Sequence, residues 1–211
     1  TAAHTMCIRE AGQEYPYTLI TDSLHNIYNM VTVIAALRQL GYDHGTIARR
    51  MAEVKIPASR LSEEEIGGVK IIMQMSKDKN ALACSRNFDY IRSKPGKKEL
   101  LLMMNCLGVA KNWSENPSWM YDTDFEFLNS DDVTCLVCAG PRAYDYQLRL
   151  LLAGIPRQKI RLAEDEFAAL ELLPLTPGDD VYLLYGVDGT PLAFRVREKL
   201  KEKLLAKEGA Q

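Results

Sequence analysis

The amino-acid sequence predicts an α/β protein with a mostly parallel sheet and helices on both of its faces, preceded by a helical segment. From about residue 69 onward, apolar runs of strand length alternate with segments of helical period. The apolar runs are nearly continuous rather than alternating, which is typical of strands that are covered on both faces. Before that point, two segments with the helical period dominate the sequence.

The helical segment contains two predicted helices. The first spans residues 24–40 and is followed by Gly41, a residue that commonly ends helices. The second spans 44–54, where Asp43 is placed to cap the first turn and Pro57 follows the end. The apolar side chains of the first helix repeat every three to four residues, at Leu24, Ile27, Tyr28, Val31, Ile34, Leu37 and Leu40.

Five strands and four helices follow in alternation. The polar stretch 58–68, with three consecutive glutamates, is expected to be a solvated linker. The sequence therefore divides into two predicted pieces, 1–62 and 63–211. The strands are predicted at 69–75, 99–105, 133–139, 159–162 and 180–186, and the helices near 82–93, 142–153, 164–172 and 191–207.

Composition and charge exclude several classes of function. Of the 211 residues, 47% are hydrophobic, enough to bury a substantial core. The formal net charge of −2 gives no electrostatic reason to expect nucleic acid as a partner. No apolar run approaches the roughly 18 to 20 residues of a membrane span, and no N-terminal secretion signal is visible. We expect a cytoplasmic protein that is not integral to a membrane and, because the first residue is Thr, a fragment of a longer chain.

The five cysteines are an odd set, which suits a reducing compartment rather than a disulfide framework. Cys135 and Cys138 have C-x-x-C spacing, but they lie in a predicted strand, where residues three apart point to opposite faces. We therefore expect them to be core residues, and we expect no metal site.

A long segment after the second predicted strand is the candidate for chemistry. In open α/β sheets, ligands bind beyond the carboxyl ends of the strands. The segment from Cys106 to Asp122 is longer than the usual connection of about 2 to 6 residues. Its aromatic residues, Trp113, Trp119 and Tyr121, disfavour disorder. This loop is therefore expected to be functional.

The acidic residues that end this segment have a structural interpretation as well as a functional one. Thr123 and Glu126 have the T-x-x-E spacing of a capping box, which predicts a short helix after them. Asp122 is left without such a role, unless it is itself the cap. Residue types alone leave both interpretations of Asp122 open.

Four short stretches together carry a family resemblance. They are "HNIYN" at 25–29, "SRLSEEEIGGVKI" at 59–71, "KNALACSRNFDYI" at 79–91 and "SWMYDTDFE" at 118–126. In the same order, they resemble the H-N-x-x-N, G-R-x-E, K-N-P-A-G-x-N-Q and S-W-x-[WY]-D-x-D-F-E elements of the MurT family, a branch of the Mur ligases. The last of these is the most specific, and the resemblance covers nearly all of the chain beyond about residue 15.

The resemblance implies a fold and a cofactor. Residues 1–62 would be the end of the Mur ligase central, ATP-binding domain, and 63–211 a Rossmann-like C-terminal domain. The family uses ATP and Mg, but the chain has no G-x-x-x-x-G-K-[ST] stretch, so we expect the phosphate cradle elsewhere in the parent protein and this fragment to be inactive alone. The cofactor-binding residues implied by the resemblance are His25, Asn26 and Asn29 near the adenine, Arg60 on the phosphate side, and Lys79 with Asn80.

The resemblance also implies an activity. The parent enzyme would be the ligase subunit that amidates the D-glutamate carboxylate of lipid II to D-isoglutamine, with ammonia from a GatD-like glutaminase subunit. The resemblance implies that an aspartate of this domain completes the catalytic dyad of the partner, and we assign Asp122 to that role. Trp119, Tyr121 and Glu115 would lie at the partner interface.

Departures from the family pattern keep alternatives open. Where the family has A-D-G-x-D, this chain has Lys111, Asn112 and Asn116, so Glu115 is an alternative to Asp122 as the acid. A Mur-type ligase that adds an amino acid, and a noncatalytic interaction domain, are the alternative functions.

Overall fold

A computed structural model describes residues 4–20, 24–55, 60–104 and 117–209 of the chain. The chain divides into two compact units, Thr1–Ile56 and Pro57–Gln211. The first unit contains a hairpin and two helices, and the second contains a six-stranded sheet with helices on both faces.

The first unit begins with an antiparallel hairpin that the sequence pattern did not predict. Strands β1, Thr5–Glu10, and β2, Gln13–Thr18, pair along their whole length. Both predicted helices follow, as α1, Leu24–Gln39, and α2, His44–Ala52. The buried apolar residues of this unit are Tyr17, Met30, Ile34, Ile47 and Met51.

A polar network ties the hairpin to both helices of the first unit. The buried His44 is 2.5 Å from the Tyr17 hydroxyl through Nδ1 and 2.6 Å from Glu10 Oε2 through Nε2. Arg38 Nε donates to the same Glu10 oxygen at 2.9 Å. These hydrogen bonds from Arg38 and His44 lower the pKa of Glu10 to about 2. At the start of α2, the Asp43 carboxylate accepts the Thr46 N–H at 2.8 Å, which confirms the predicted cap.

The second unit contains the predicted mostly parallel sheet. Its strand order is β3-β4-β8-β5-β6-β7, and every neighbouring pair is parallel except β3 with β4. The strands are β3 Leu61–Ile66, β4 Val69–Met75, β5 Lys98–Met103, β6 Val133–Ala139, β7 Ile160–Ala163 and β8 Asp180–Tyr185.

Helices cover both faces of this sheet, as the sequence predicts. Helices α3, Ala81–Ser93, and α4, Ala143–Leu152, pack on one face, and α5, Thr190–Glu208, packs on the other. The two sulfur atoms of the C-x-x-C pair are divided between these faces, because Cys138 belongs to the core under α3 and α4 and Cys135 to the core under α5. Burial raises the pKa of the Cys138 thiol to about 12, as expected for a core residue.

Two local predictions were wrong in this unit. The stretch predicted as a linker forms β3, and its Glu63 and Glu64 pair with Lys70 and Lys201 at 2.6 and 2.9 Å. An edge strand that faces water tolerates consecutive glutamates when its backbone is paired on one side. The helix predicted at 164–172 is a single 3₁₀ turn at Ala168–Glu171.

The predicted capping box was also wrong. The Thr123 hydroxyl donates to the Trp119 carbonyl at 2.8 Å, and Glu126 pairs with Arg149. The 3₁₀ turn Phe125–Leu128 that follows has no side-chain cap. The Glu126 carboxylate binds Arg149 more strongly than it would bind a backbone N–H, because the guanidinium and the carboxylate are both charged.

Candidate functional site

The carboxyl edge of β4 brings together three of the predicted cofactor-binding residues. Lys79 and Asn80 lie in the turn between β4 and α3, and Arg60 directly precedes the antiparallel β3. The Met75 N–H at the end of β4 donates to the Arg60 carbonyl at 3.0 Å, so Arg60 lies at the same edge of the sheet. All three are exposed, at the position where open α/β sheets bind ligands.

The roles of two of these side chains within the fold are visible. Asn80 Oδ1 accepts the Ala83 N–H at 3.0 Å and caps α3. Lys79 has a φ of 69° and its ammonium is 3.5 Å from the Asp188 carboxylate. A non-glycine residue with positive φ is uncommon and costs backbone energy. The turn after β4 is therefore held in a fixed, strained shape at the ligand edge.

Asp78 connects the two adjoining loops at this edge. It follows β4, and its Oδ1 accepts the Val187 N–H, which follows β8, at 3.3 Å. A Cβ on Gly186 would lie 2.3 Å from this oxygen, so only glycine permits the close approach. The loops after β4 and β8 are thus fixed to one another beside Lys79 and Asn80.

Two buried polar atoms near this edge have no hydrogen-bond partner within the part of the chain that the structure describes. They are the Ser76 hydroxyl and Gln74 Oε1. Buried polar groups are nearly always paired, so such atoms require an explanation. Nearby, burial raises the pKa of Tyr185 to about 12, against the opposing charges of Arg197 and Arg60.

The predicted catalytic acid lies elsewhere in the second unit, in the segment 117–128, which we call the Asp122 segment. This segment packs against α3 and α4. The Asp124 N–H donates to Ser85 Oγ of α3 at 2.8 Å, and the Phe125 ring meets Phe88 of α3 edge-on, with centroids 4.8 Å apart. Asp122 itself is exposed, and its carboxylate has no hydrogen bond or ion pair to any other residue that the structure describes.

Inward and outward side chains alternate sharply around Asp122. Met120 and Thr123 are buried, with 2% and 1% of their surface exposed, whereas Tyr121 is 52% exposed. Trp119 is partly buried and packs against the core. Trp119 therefore anchors the segment to the core, and Tyr121 and Asp122 are the two neighbouring residues that it exposes to solvent.

Arg149 of α4 fixes the inward side of the segment, and sequence reasoning missed it. Its guanidinium is buried and donates to the Met120 carbonyl at 3.1 Å and to the Thr123 carbonyl at 2.7 Å. It also pairs with Glu126 at 2.7 Å, and this hydrogen bond lowers the pKa of that carboxyl. Arginine is rarely buried unless it is paired, but the partners of Arg149 lie more than 20 positions earlier in the chain, so no local pattern in the sequence marks it.

The outer face of α4 adds exposed apolar surface close to the Asp122 segment. Leu148 and Leu152 are four residues apart and therefore share this face. Both are within three residues of Arg149, which contacts the Asp122 segment. The exposed apolar side chains of α4 are Tyr144, Leu148, Leu151 and Leu152. Large exposed apolar side chains that share one face mark an interaction surface. Glu115, the alternative acid, lies outside the described residues.

The predicted adenine-binding residues lie at the start of α1 in the first unit. Asn26 is half-buried and Asn29 is exposed, and neither amide is hydrogen-bonded to another described residue. Side chains three apart on a helix share a face, and an asparagine amide can both donate to and accept from an adenine edge. The two residues therefore fit the predicted ligand. Nothing of the His25 side chain is described.

The family resemblance also implies Mg, which would need a group of oxygen ligands. Over the described ranges, no group of three or more His, Cys, Asp or Glu side chains is arranged to hold a metal ion. The described residues of this chain therefore do not by themselves form a site for Mg. In the same ranges, no helix is long and apolar enough to cross a membrane.

Comparison with solved structures defines the class of protein. MurF from Acinetobacter baumannii superimposes with a TM-score of 0.65 over 94% of this chain and 42% of that chain, at 16% identity. MurF from Thermotoga maritima, solved in complex with ADP, gives a TM-score of 0.62 over 96% of this chain and 44% of that chain, at 18% identity. The fold is that of the Mur ligases.

Comparison of sequences narrows this class to a family. The family described as MurT ligase C-terminal matches residues 78–186, which is more than half of the chain, and the chain therefore belongs to this family. The "lipid II isoglutaminyl synthase (glutamine-hydrolyzing) subunit MurT" of Streptococcus pneumoniae is 26% identical over 151 residues, 71% of this chain and 32% of that protein. The protein of the same name from Staphylococcus aureus is 25% identical over 130 residues, 62% of this chain and 29% of that protein. The chain thus spans about a third of the length of these relatives.

Proposed function

We propose that this chain is part of the ligase subunit of a glutamine-dependent amidating enzyme that acts on the D-glutamate carboxylate of lipid II, and that Asp122 completes the active site of a GatD-like glutaminase subunit. The observation that carries the proposal is Asp122 itself: a carboxylate free of partners among the described residues, presented from a segment whose other side is anchored. Membership of the MurT family supports the reaction class, because the similar proteins are glutamine-hydrolyzing synthase subunits by name.

A carboxylate that is presented from an anchored segment and has no partner among the described residues has a specific use at a glutaminase. The cysteine nucleophile of such an enzyme is activated by a histidine, and a third group orients that histidine and stabilises its charged form. Asp122 would accept the N–H of the partner histidine and hold the tautomer in which the other ring nitrogen takes the thiol proton. Loss of such an acid costs on the order of 10⁴ in rate where a triad has been dissected.

Tyr121 and the outer face of α4 would supply the contact area for that partner. Tyr121 is adjacent to Asp122 and half exposed, and aromatic residues are enriched in protein interfaces. The exposed leucines of α4 lie on the helix that anchors the segment. An apolar contact of this kind would bring the partner histidine to Asp122 and exclude water around it.

The ligase half of the reaction would use the residues that are predicted to bind ATP. ATP would supply the phosphate that activates the D-glutamate carboxylate for attack by ammonia. Asn26 and Asn29 would hold the adenine edge, and Arg60 and Lys79 would place positive charge on the phosphate side. The domain assignment of 1–62 to the end of the ATP-binding domain and of 63–211 to the C-terminal domain is part of this proposal.

Glutamine hydrolysis tests the proposal directly. The full-length protein is co-expressed with its glutaminase, and glutaminase activity is compared between the wild type and Asp122→Asn. We expect the complex to form in both cases and activity to fall on the order of 10³ to 10⁴ in the variant. Glu115→Gln is the matched control for the alternative acid. Wild-type activity in Asp122→Asn would refute the assignment, and failure to associate with any glutaminase would favour an amino-acid-adding ligase or a noncatalytic domain.

A further inference from the structure

We infer that Arg149 is the positioning residue of the Asp122 segment: its guanidinium fixes where the Asp122 carboxylate stands, without touching a reacting group. The inference rests on the proposed function, since it concerns the same carboxylate. It assigns a role in catalysis to a buried residue of α4 that belongs to none of the sequence motifs.

The contacts of Arg149 bracket the two presented residues. Nε donates to the carbonyl of Met120, and Nη2 donates to the carbonyl of Thr123. These carbonyls belong to the residues directly before and after Tyr121 and Asp122. The Thr123 N–H also bonds to the Met120 carbonyl, at 3.4 Å, which closes the turn. One rigid planar group therefore holds both ends of the turn that carries the acid.

The surroundings of Arg149 keep the guanidinium in one place. Only 6% of the residue surface is exposed, and a buried charge is costly unless it is paired and hydrogen-bonded. Glu126 supplies the opposite charge through two oxygens at 2.9 and 2.7 Å from Nη2. The guanidinium carbon lies 5.2 Å from the centre of the Phe125 ring, a cation–π distance. The group is thus fixed from several directions and cannot itself reach a docked protein.

Lysine cannot replace arginine in this arrangement. The guanidinium presents several N–H groups in a fixed plane, whereas an ammonium is a single point on a flexible stem. A lysine would keep the charge opposite Glu126 but would lose at least one of the two backbone bonds that bracket Asp122. Misplacement of a catalytic group by about 1 Å costs on the order of 10²-fold in rate. Arg149→Lys is therefore the informative substitution.

The experiment is a double-mutant cycle in the complex of the full-length protein with its glutaminase. The kcat and KM for glutamine hydrolysis are measured for the wild type, Arg149→Lys, Asp122→Asn and the double variant. We expect Arg149→Lys to lower kcat about 10²-fold with the KM for glutamine unchanged. Because Arg149 acts through Asp122, the double variant is expected to be no slower than Asp122→Asn alone.

A matched control lies on the other face of the sheet. Arg197 of α5 also pairs with a glutamate, Glu198 at 2.6 Å, and its guanidinium carbon lies 4.6 Å from the centre of the Phe194 ring. Arg197→Lys makes the same chemical change far from the Asp122 segment, and we expect kcat to remain that of the wild type.

The outcomes separate the two claims. If Asp122→Asn loses activity while Arg149→Lys keeps it, or if the two losses multiply, the positioning role is wrong and the proposed function stands. If Asp122→Asn is as active as the wild type, the proposed function fails and the positioning role fails with it. If Arg149→Lys does not fold, Glu126→Gln is the second variant, because it weakens the ion pair that holds the Arg149 guanidinium in place. If Glu126→Gln lowers kcat by the same factor in Asp122→Asn as in the wild type, the inference is wrong.

Discussion

At the scale of single residues, buried charged groups hold the turns of the second unit in place. Glu99 of β5 is fully buried, and its carboxylate accepts the N–H groups of Leu175 at 2.9 Å and Thr176 at 3.0 Å. Leu175 has a φ of 54°, an uncommon conformation for leucine. Glu99 therefore stabilises a strained turn before β8, in the same way that Arg149 fixes the turn around Asp122.

Substitution of Glu99 tests this role. Glu99→Gln keeps the size of the side chain but replaces one acceptor oxygen by a donor, which faces a backbone N–H. We expect a loss of about 1 to 3 kcal/mol in the free energy of unfolding, because a buried donor loses its partner. Urea denaturation measures this as a lower midpoint with an unchanged slope.

Glu65 provides the matched control for this substitution. It lies exposed on β3, in the edge strand of the same sheet. Glu65→Gln is expected to change the free energy of unfolding by less than about 0.5 kcal/mol, as is usual for exposed positions. Equal midpoints for the two variants would show that the Glu99 carboxylate does not stabilise the turn.

Residue-level patterns predicted part of the candidate site. Asp122 and Tyr121 could be selected because a long aromatic loop after a strand is unusual, and both are exposed in the structure. Arg149 could not be selected, because its partners are backbone carbonyls of residues more than 25 positions earlier in the chain. The capping box failed for the same reason, since Glu126 is bonded to this distant arginine rather than to its own turn.

At the scale of elements, helices α1 to α5 and the parallel strands were predictable, whereas the hairpin β1–β2 and the edge strand β3 were not, and the helix predicted at 164–172 was wrong. Parallel strands are buried on both faces and therefore appear as apolar runs. The hairpin β1–β2 and the edge strand β3 are held by pairing along the backbone, and most of their side chains are exposed or half exposed. Their sequences, with Pro16 in β2 and three glutamates in β3, carry no such pattern.

The hairpin of the first unit is expected to loosen in acid through Glu10. Folding lowers the pKa of Glu10 from 4.5 to about 2, by hydrogen bonds from Arg38 and His44. A group whose pKa is lowered on folding stabilises the fold above its unfolded pKa, and this stabilisation is lost as the pH falls through the folded pKa. Between about pH 4.5 and pH 2, wild-type protection of the β1 and β2 amides should therefore approach that of Glu10→Gln, as measured by hydrogen exchange.

A second carboxylate in the hairpin is the control for Glu10. Among the described residues, Glu14 pairs with Arg9 alone, at 2.5 Å, and both side chains are more than half exposed. Exposed pairs of this kind contribute little to stability, so Glu14→Gln is expected to leave protection at the wild-type level. A Glu10→Gln hairpin that is as protected as the wild type at neutral pH would contradict the role of Glu10.

Helix α4 is expected to contribute to partner binding through its outer face. Leu148→Asp places a charge in the middle of the exposed apolar surface, where docking would bury it without a partner. We expect the affinity for the glutaminase to fall at least about tenfold, by roughly 1.4 kcal/mol or more. Isothermal titration or surface plasmon resonance with the purified glutaminase measures this.

Leu205 allows the same change to be made on the opposite side. It is exposed on α5, which covers the other face of the sheet. Leu205→Asp is expected to bind the glutaminase as the wild type does. Equal losses for both leucines would indicate a general effect of charge, and wild-type affinity for Leu148→Asp would remove α4 from the interface.

At the scale of the whole molecule, the residues proposed to serve the glutaminase all belong to one of the two units. The adenine-side residues Asn26 and Asn29 belong to Thr1–Ile56, whereas Asp122, its anchoring Arg149 and the outer face of α4 belong to Pro57–Gln211. The first unit has one buried apolar cluster, and the second unit has two, one on each face of its six-stranded sheet. Nothing in the proposed partner contact requires a residue of the first unit.

This division predicts that Pro57–Gln211 alone binds the glutaminase. Its core covers both faces of one sheet within 155 residues, a size that supports independent folding, so we expect a single cooperative unfolding transition. We expect it to bind the glutaminase with the affinity of the longer chain and to stimulate glutamine hydrolysis, since Asp122 and the surface around it are all present. Asp122→Asn in the isolated unit should keep the binding and lose the stimulation. A folded second unit that neither binds nor stimulates, beside a full-length protein that does both, would place part of the partner surface outside this unit and refute the division.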